Sequence, residues 1–244
     1  QFWTPYGATE CLPVAAIEGR GLEATRAATE AGAGTCVGQV VAPNEVRIIE
    51  IDDAAIADWS GVHVLPVGQV GEITVAGPTT TDSYFNRDAA TRSAKIRERR
   101  SDGSERIVHR MGDVGYFDAH GCLWFCGRKT HRVETPSGPL YTEQVEPVFN
   151  LHPQVRRTAL VGVGVFGQQQ PVLCVELQPG VSASRFAQIE SELRALGAVH
   201  AHTAGITRFL RHRGFPVDIR HNAKIGRETL AAWAAQQCVP GAVR

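Results

Sequence analysis

Residues 110–128 read RMGDVGYFDAHGCLWFCGR, and this pattern predicts two β-strands joined by a tight turn. The apolar residues lie at 114–117 and 123–125, and Asp118-Ala-His-Gly121 between them contains the residue types that turns favour. Residues 106–109 form a further predicted strand just upstream. The sequence therefore predicts an antiparallel meander at this point of the chain.

The sequence before this meander is also rich in predicted strands. Residues 46–51 and 72–76 are enriched in β-branched side chains and are bounded by Gly, Pro or Asp, which indicates one strand each. Asn86 is a suitable N-cap residue, and the charged sequence from there to about Arg97 predicts a short helix.

The composition changes after Arg128. Residues 135–139 contain two prolines and a glycine, which indicates a break between two domains with its boundary at about residue 128. Beyond it helices and strands alternate, and Gly197 is expected to end the second of the helices. The predicted helices are 142–150, 184–196 and 226–237, and the predicted strands are 158–163, 172–177 and 215–219. The predicted fold class is α+β.

The composition is that of a globular protein with balanced charge. The chain has 244 residues, with 25 basic and 25 acidic side chains mixed along its length, so we expect no nucleic-acid partner. No apolar run is close to the length of a membrane-spanning helix, which needs about 20 residues, and the first residues do not resemble a signal peptide. We therefore expect no stable membrane anchor. A cytoplasmic protein with reduced cysteines is expected. The abrupt start at Gln1 suggests a fragment.

Two patterns suggest ligand sites that their contexts argue against. Cys122 and Cys126 are four residues apart in a predicted strand, which separates them by about 13 Å and prevents one zinc ion from binding both. Residues 162–167 match the GxGxxG pattern of dinucleotide-binding loops, but the sequence predicts a strand rather than a helix after them. Neither pattern therefore predicts a metal or dinucleotide site.

Four short segments combine glycine with a charged residue, namely 6–10, 111–115, 127–128 and 222–227. Glycine permits close approach of the backbone to a ligand, and the charge can bind that ligand. A single segment of this kind would ordinarily be a solvated turn. The occurrence of four such predicted loops in one chain favours a binding site.

In this order the segments resemble the motifs of the adenylate-forming superfamily, which includes acyl-CoA synthetases, peptide-synthetase adenylation domains and luciferases. YGATE at 6–10 is similar to YGxTE, and GPTTTDSYFN at 77–86 is similar to GPxVTxGYxN. The stretch at 110–128 is similar to TGDxGxxDxxGxxxxxGR, and AKIGR at 223–227 stands where the family has GKIxR.

The resemblance implies a domain organisation. Residues 1–128 would be the β-rich end of a large AMP-binding domain, and residues 129–244 would be its small, mobile α+β C-terminal domain, with the hinge at Thr130. The Ser/Thr/Gly-rich phosphate-binding loop of the family is not found in the chain. It is expected upstream of Gln1, in an N-terminal half of the same protein.

The resemblance also implies roles for the predicted loop at 6–10. Tyr6 would lie against the adenine, where an aromatic ring provides apolar area and stacking, and Gly7 would belong to the same nucleotide-binding segment. Thr9 would hydrogen-bond the α-phosphate of ATP. Glu10 would hold Mg²⁺, a hard cation that prefers oxygen ligands.

Three further residues complete the implied site. Asp113 would accept hydrogen bonds from the ribose hydroxyls, and Arg128 would contact the ribose or a phosphate. Lys224 would bridge the incoming carboxylate and the α-phosphate and stabilise charge in the transition state. Thr9, Glu10 and Lys224 are thus the predicted catalytic residues, with ATP and Mg²⁺ as the predicted cofactors.

The chain departs from the family pattern at Met111, Thr130 and Glu134. With these departures and the sequence of residues 134–146, the chain resembles the β-lactone synthetases of bacterial long-chain olefin biosynthesis. That resemblance implies activation of a long-chain β-hydroxy acid as acyl-AMP with release of pyrophosphate, followed by closure to a β-lactone with release of AMP. Other olefin-biosynthesis enzymes are implied as partners.

Two alternatives remain open. The first is a long-chain fatty acyl-CoA or acyl-AMP ligase, whose substrate would be a fatty acid. The second is a non-catalytic fragment or binding module. The joint presence of Glu10, Asp113, Arg128 and Lys224 argues against a degenerate family member, whereas the missing phosphate loop suggests that the chain alone is inactive.

Overall fold

The computed structural model of the chain describes residues 1–218 and 221–238. It is 27% helical and 38% strand, which confirms the predicted α+β class. The chain divides into two compact units, residues 1–28 with 33–130 and residues 29–32 with 131–244. None of the described helices combines the length and the apolar character needed to cross a bilayer.

The first unit is built on an eight-stranded antiparallel sheet with the order β1-β2-β3-β8-β7-β5-β4, in which β6 also pairs with β7. Its elements are β1 (Trp3–Ala8), β2 (Cys11–Glu18), α1 (Gly19–Glu30), β3 (Thr35–Val40), β4 (Glu45–Ile49), β5 (Gly71–Ala76), α2 (Asp88–Ala94), β6 (Lys95–Arg99), β7 (Glu105–Phe117) and β8 (Leu123–Arg128). All six residues of β5 are buried, because β4 and β7 flank the strand and core residues cover both of its faces, with Ile73 and Val75 in one cluster and Ala76 in another.

The second unit has a three-stranded sheet covered by helices. Its elements are β9 (Val133–Thr135), β10 (Gly138–Leu140), α3 (Thr142–Asn150), β11 (Val155–Val163), β12 (Gln170–Leu177), α4 (Phe186–Ala198), β13 (Arg208–His212), β14 (Val217–Asp218), β15 (His221–Ile225) and α5 (Arg227–Cys238). In the sheet, β12 pairs antiparallel with β11 and parallel with β13.

The central strand β12 is buried on both faces because its side chains alternate. Leu173 and Val175 belong to the core cluster formed with α3 and α4, whereas Val172 and Cys174 belong to the cluster that includes Leu230 of α5. The sequence therefore shows an unbroken apolar run at this strand, as strands covered on both faces do.

The long strand β7 corrects the predicted meander. Residues 106–109 and 114–117 are parts of one strand of 13 residues, so the segment 111–115 is not a loop. Gly112 lies in this strand with a φ angle of 66°. The turn predicted after it is present, and the carboxylate of Asp118 accepts hydrogen bonds from the backbone N–H groups of His120 and Cys122.

The helix predicted from Asn86 to Arg97 is also corrected. Asn86 has a φ angle of 51° and does not cap the helix, which has Arg87 as its N-cap residue. The helix ends at Ala94, and Lys95–Arg99 forms β6 because these residues pair in register with β7. Tertiary pairing here outweighs the helix propensity of a charged sequence.

Two features of the second unit differ from their predictions. Gly197 does not end its helix but lies within α4, where an added Cβ atom would be 2.9 Å from the ring of Phe149. Glycine is therefore needed for close packing of α4 against α3. The strand predicted at 215–219 is represented by β14, and Ile219 lies outside the described residues.

Candidate active site

The hairpin between β1 and β2 carries the first group of predicted site residues. Tyr6 and Gly7 are strand residues rather than loop residues, and Thr9 and Glu10 form the turn. The strand register is irregular just after Tyr6. A Cβ atom at Gly7 would lie 2.5 Å from the carbonyl oxygen of Cys11, so this position requires glycine.

Asp113 connects this hairpin to β7 and β8. Its Oδ2 accepts a hydrogen bond of 2.7 Å from the hydroxyl of Tyr6. Its Oδ1 lies 3.1 Å from Nη1 of Arg128, because β7 and β8 pair these two residues directly. The Tyr6 ring also contacts Phe125, with 5.9 Å between the ring centroids. The fold thus brings together three of the predicted nucleotide-binding residues.

The electrostatic state of this cluster follows from its burial. Burial raises the pKa of the Asp113 carboxyl group, although Arg128 acts in the opposite direction. Burial, together with the neighbouring carboxyl group of Asp113, raises the pKa of Tyr6 well above its ordinary value, so the phenol remains a hydrogen-bond donor.

One oxygen of Asp113 is left open to a ligand. Oδ1 is buried and accepts no hydrogen bond of good geometry from the described residues, even though Arg128 is 3.1 Å away. Buried polar atoms of native proteins are ordinarily hydrogen-bonded, so an oxygen in this state is suited to a donor supplied by a ligand. A ribose hydroxyl is such a donor.

Glu10 is held from one side by Tyr84. The Tyr84 hydroxyl donates a hydrogen bond of 2.9 Å to Oε1 of Glu10. Burial acts to raise the pKa of Glu10, but the hydrogen bond from Tyr84, a backbone hydrogen bond and the positive charge of Lys95 outweigh it, so the net pKa is lowered. Glu10 is therefore a carboxylate at neutral pH, the state that a hard cation requires.

The surroundings of Glu10 fit a cation that takes few ligands from the protein. Among residues 1–218 and 221–238, no group of three or more His, Cys, Asp and Glu side chains could hold a metal. Mg²⁺ commonly binds through one or two carboxylates together with water and substrate phosphates. Glu10 is thus chemically suited to Mg²⁺ only when a phosphate-bearing ligand is also bound.

Lys224 lies in the second unit, on β15 rather than on the loop that the sequence predicted, and its side chain is exposed. Just after it, the Gly226 N–H donates to the Pro216 carbonyl at 2.8 Å. Arg227, which begins α5, donates hydrogen bonds of 2.5 and 3.0 Å to the carboxylate of Glu146 on α3. These contacts fix the backbone next to Lys224 to the core of its own unit.

The predicted hinge residue Thr130 is exposed and follows a residue that is firmly held. Nζ of Lys129 lies 3.1 Å from Oε2 of Glu72 and donates to the Asp52 carbonyl at 2.9 Å. Glu72 is 1% exposed and also binds Nη2 of Arg110 at 2.6 Å. The chain is thus anchored in the first unit up to Lys129, and Thr130 is the first residue after this network.

Sequence reasoning assigned no role to Tyr84 or to the pair of Glu146 and Arg227. Tyr84 stood inside the motif at 77–86, but nothing local indicates that its hydroxyl reaches a residue 74 positions away. Glu146 had one signal, because it is an acidic residue among the apolar positions of a predicted helix, where a charge needs a partner.

Comparison with known proteins identifies close relatives, although no protein-family model matches the chain. The chain is 85% identical over 239 residues to the olefin beta-lactone synthetase of Xanthomonas campestris pv. campestris, an alignment that covers 98% of this chain. It is 72% identical over 237 residues to the olefin beta-lactone synthetase of Stenotrophomonas maltophilia, covering 97% of this chain. The chain spans 43% of the length of each of these relatives.

Solved structures with the same fold are also found. The amide bond synthetase McbA from Marinactinospora thermotolerans is 26% identical with a TM-score of 0.71, and the match covers 95% of this chain and 42% of that one. The o-succinylbenzoate coenzyme A synthetase MenE of Bacillus subtilis, solved in complex with AMP, is 23% identical with a TM-score of 0.65. That match covers 93% of this chain and 40% of MenE, and it supports the fold alone.

Proposed function

The chain belongs to the adenylate-forming superfamily, and from this premise we propose that the protein containing it activates a carboxylic acid with ATP and converts the acyl-AMP to a β-lactone. The lactone product is inferred from relatives at 85% and 72% identity, both olefin beta-lactone synthetases. The structural observation that supports nucleotide binding most directly is the open Oδ1 of Asp113, held beside Tyr6 and Arg128.

The proposed reaction has two steps. First, a carboxylate oxygen of the substrate attacks the α-phosphorus of ATP, the acyl–phosphate bond forms and pyrophosphate leaves. Second, the β-hydroxyl oxygen of the same substrate loses its proton and attacks the acyl carbonyl carbon, and AMP leaves as the four-membered ring closes. Because the nucleophile is held within the substrate, proximity replaces a second substrate.

The residues of the chain divide between binding and charge stabilisation. Tyr6 and Gly7 line the adenine site, Asp113 and Arg128 hold the ribose, and Thr9 hydrogen-bonds the α-phosphate. When bound, Mg²⁺ at Glu10 neutralises phosphate charge. Lys224 supplies a positive charge to the α-phosphate and the carboxylate as negative charge grows in the transition state. The exposure of Lys224 and Thr9 supports these roles, because both side chains are accessible to a ligand.

We also propose that residues 1–128 are part of the AMP-binding domain and residues 129–244 its C-terminal domain, with Thr130 as hinge. The anchoring of Lys129 to Glu72 supports a pivot at the next residue. In this proposal the phosphate-binding loop belongs to an N-terminal half of the same protein, which corresponds to the part of the relatives that this chain does not span. The isolated chain should therefore bind AMP weakly and release no pyrophosphate from ATP.

The test is a product assay of a full-length protein carrying this chain. A long-chain β-hydroxy acid with ATP and Mg²⁺ should yield pyrophosphate, AMP and a β-lactone detected by mass spectrometry, without coenzyme A. The matched control is the same acid without its β-hydroxyl group, which should yield no lactone. Failure to form lactone, combined with thioester formation from fatty acids when coenzyme A is added, would instead support an acyl-CoA ligase.

A further inference from the structure

The segment between β5 and α2, residues 77–87, closes around the turn that carries Glu10. The Thr81 N–H donates a backbone hydrogen bond of 2.9 Å to the Glu10 carbonyl. The Tyr84 hydroxyl donates a hydrogen bond of 2.9 Å to Oε1 of the Glu10 side chain. Two motifs that are far apart in the sequence are therefore in contact, and the segment 77–87 hydrogen-bonds both the backbone and the side chain of Glu10.

The segment 77–87 is itself held in place by contacts with Lys95 and Thr91. Lys95 is 6% exposed, and its Nζ donates to the carbonyl oxygen of Thr81 and, at 3.1 Å, to the Thr81 hydroxyl. The same ammonium group lies 5.8 Å from the centroid of the Tyr84 ring, within the range of a cation–π contact. The Tyr84 N–H donates to the Thr91 hydroxyl at 3.0 Å, which fixes the backbone that carries the ring.

The Tyr84 contact leaves one oxygen of Glu10 available. Tyr84 binds Oε1, and among the described residues it is the only side chain that hydrogen-bonds the Glu10 carboxylate. A hydrogen bond to Oε1 restricts rotation of the carboxylate group, while Oε2 keeps its capacity to bind another partner. Metal-binding side chains are commonly held by such supporting contacts. A carboxylate that is mobile before binding loses conformational freedom when it binds a cation, so it binds the cation more weakly than one that is already oriented.

We propose that Tyr84 is a positioning residue that directs Oε2 of Glu10 toward the cation of the bound nucleotide, and that Lys95 holds the segment carrying Tyr84 in place. This inference rests on the proposed function, since it requires Glu10 to bind Mg²⁺ together with ATP. Tyr84 itself contacts neither the metal nor the reacting atoms.

The experiment measures how much Mg²⁺ strengthens binding of a nonhydrolysable ATP analogue, by calorimetry on a full-length protein carrying this chain. Tyr84→Phe removes one hydroxyl group and keeps the ring. We expect the Mg²⁺-dependent gain in affinity to fall about tenfold, the usual effect of losing a hydrogen bond to a charged group. Binding of AMP in the presence of EDTA should stay within about twofold of the wild type, which a general structural defect would not allow.

The matched control is Tyr116→Phe, since Tyr116 is also half-buried in the first unit and donates to the Ala33 carbonyl at 3.0 Å. This variant should keep the full Mg²⁺-dependent gain. Lys95→Met should reduce the gain less than Tyr84→Phe does, because Lys95 acts through Thr81.

A parallel variant separates this inference from the proposed function. Glu10→Gln should abolish the Mg²⁺-dependent gain. If Glu10→Gln abolishes it and Tyr84→Phe leaves it unchanged, the positioning role is overturned while the proposed function stands. If Glu10→Gln leaves the gain unchanged, Glu10 does not bind the cation, and both the positioning role of Tyr84 and the assignment of Mg²⁺ to Glu10 are overturned, whereas the product assay still tests the overall reaction.

Discussion

Arg227 and Glu146 form a bidentate ion pair in the second unit, with Nη1 2.5 Å from Oε1 and Nη2 3.0 Å from Oε2. Their side chains are 13% and 10% exposed. Oε1 also accepts a hydrogen bond of 2.8 Å from the Leu160 N–H. Burial raises the pKa of Glu146, although Arg227 opposes that effect. The pair joins α3 and β11 to the first residue of α5, three residues after Lys224.

Removal of the arginine should destabilise the second unit strongly. Arg227→Met leaves a buried carboxylate without its partner, and breaking a buried pair in this way costs about 3–5 kcal/mol. The free energy of unfolding of the chain, measured in urea, should fall by that amount. The control is Glu190→Gln, which breaks the partly exposed pair with Arg194 and should cost less than about 0.5 kcal/mol. A loss below about 1 kcal/mol for Arg227→Met would contradict the structural importance of the pair.

The second unit was the easier part to predict from sequence. The sequence predicts the helix at 142–150 at the bounds that the structure shows, and the buried apolar residues Val145, Val148 and Phe149 have helical spacing. The strand β12 was recognised from its unbroken apolar run. The partner of Glu146 was not predicted, because Arg227 lies 81 residues away and only the fold brings the two together.

The first unit was predicted less well. The strands β1 and β2 contain Pro5, Gly7 and Pro13, residues that ordinarily interrupt strands, so local propensity pointed away from a hairpin. The identities of Tyr6 and Asp113 came from the family resemblance. Their hydrogen bond across 107 residues came from the sheet, which no local pattern specifies.

His109 should make the stability of the chain depend on pH. It is 2% exposed, and burial together with the charge of Lys95 lowers its pKa to about 4. In the unfolded chain a histidine has a pKa of about 6.5, so below that pH the unfolded state binds a proton that the folded state rejects. Stability therefore falls as the pH decreases from about 6.5 toward about 4.

The measurement compares wild type with His109→Gln in urea unfolding at about pH 7 and about pH 5. The wild type should lose about 2 kcal/mol more than the variant over this interval. His120→Gln is the control, because His120 is exposed in the turn between β7 and β8. Equal pH dependence of wild type and His109→Gln would show that His109 is not held neutral by the fold.

Asp113 should determine the affinity for nucleotides. Asp113→Asn keeps the size of the side chain but removes the charge that pairs with Arg128 and one acceptor for ribose hydroxyl groups. We expect AMP to bind about 10- to 100-fold more weakly, as measured by calorimetry. Asp102→Asn, an exposed change in the turn before β7, should leave AMP binding unchanged. Unaltered AMP affinity in Asp113→Asn would place the ribose elsewhere.

Lys224 should affect the first chemical step and little else. Its side chain is exposed, and the contacts that hold its backbone come from Gly226 and Arg227, so Lys224→Ala should leave folding and AMP binding unchanged. Because its charge acts mainly in the transition state, the variant should lose about 3 kcal/mol of barrier lowering, or about a hundredfold in the rate of pyrophosphate release. Arg213→Ala, another exposed cation of the second unit, should keep the wild-type rate and so exclude a general effect of surface charge. Lys224→Arg should recover only part of the rate, since a guanidinium group differs from an ammonium group in size and geometry. A wild-type rate of acyl-AMP formation in full-length Lys224→Ala protein would remove the residue from the mechanism, because a residue that stabilises the transition state cannot be lost without slowing the reaction.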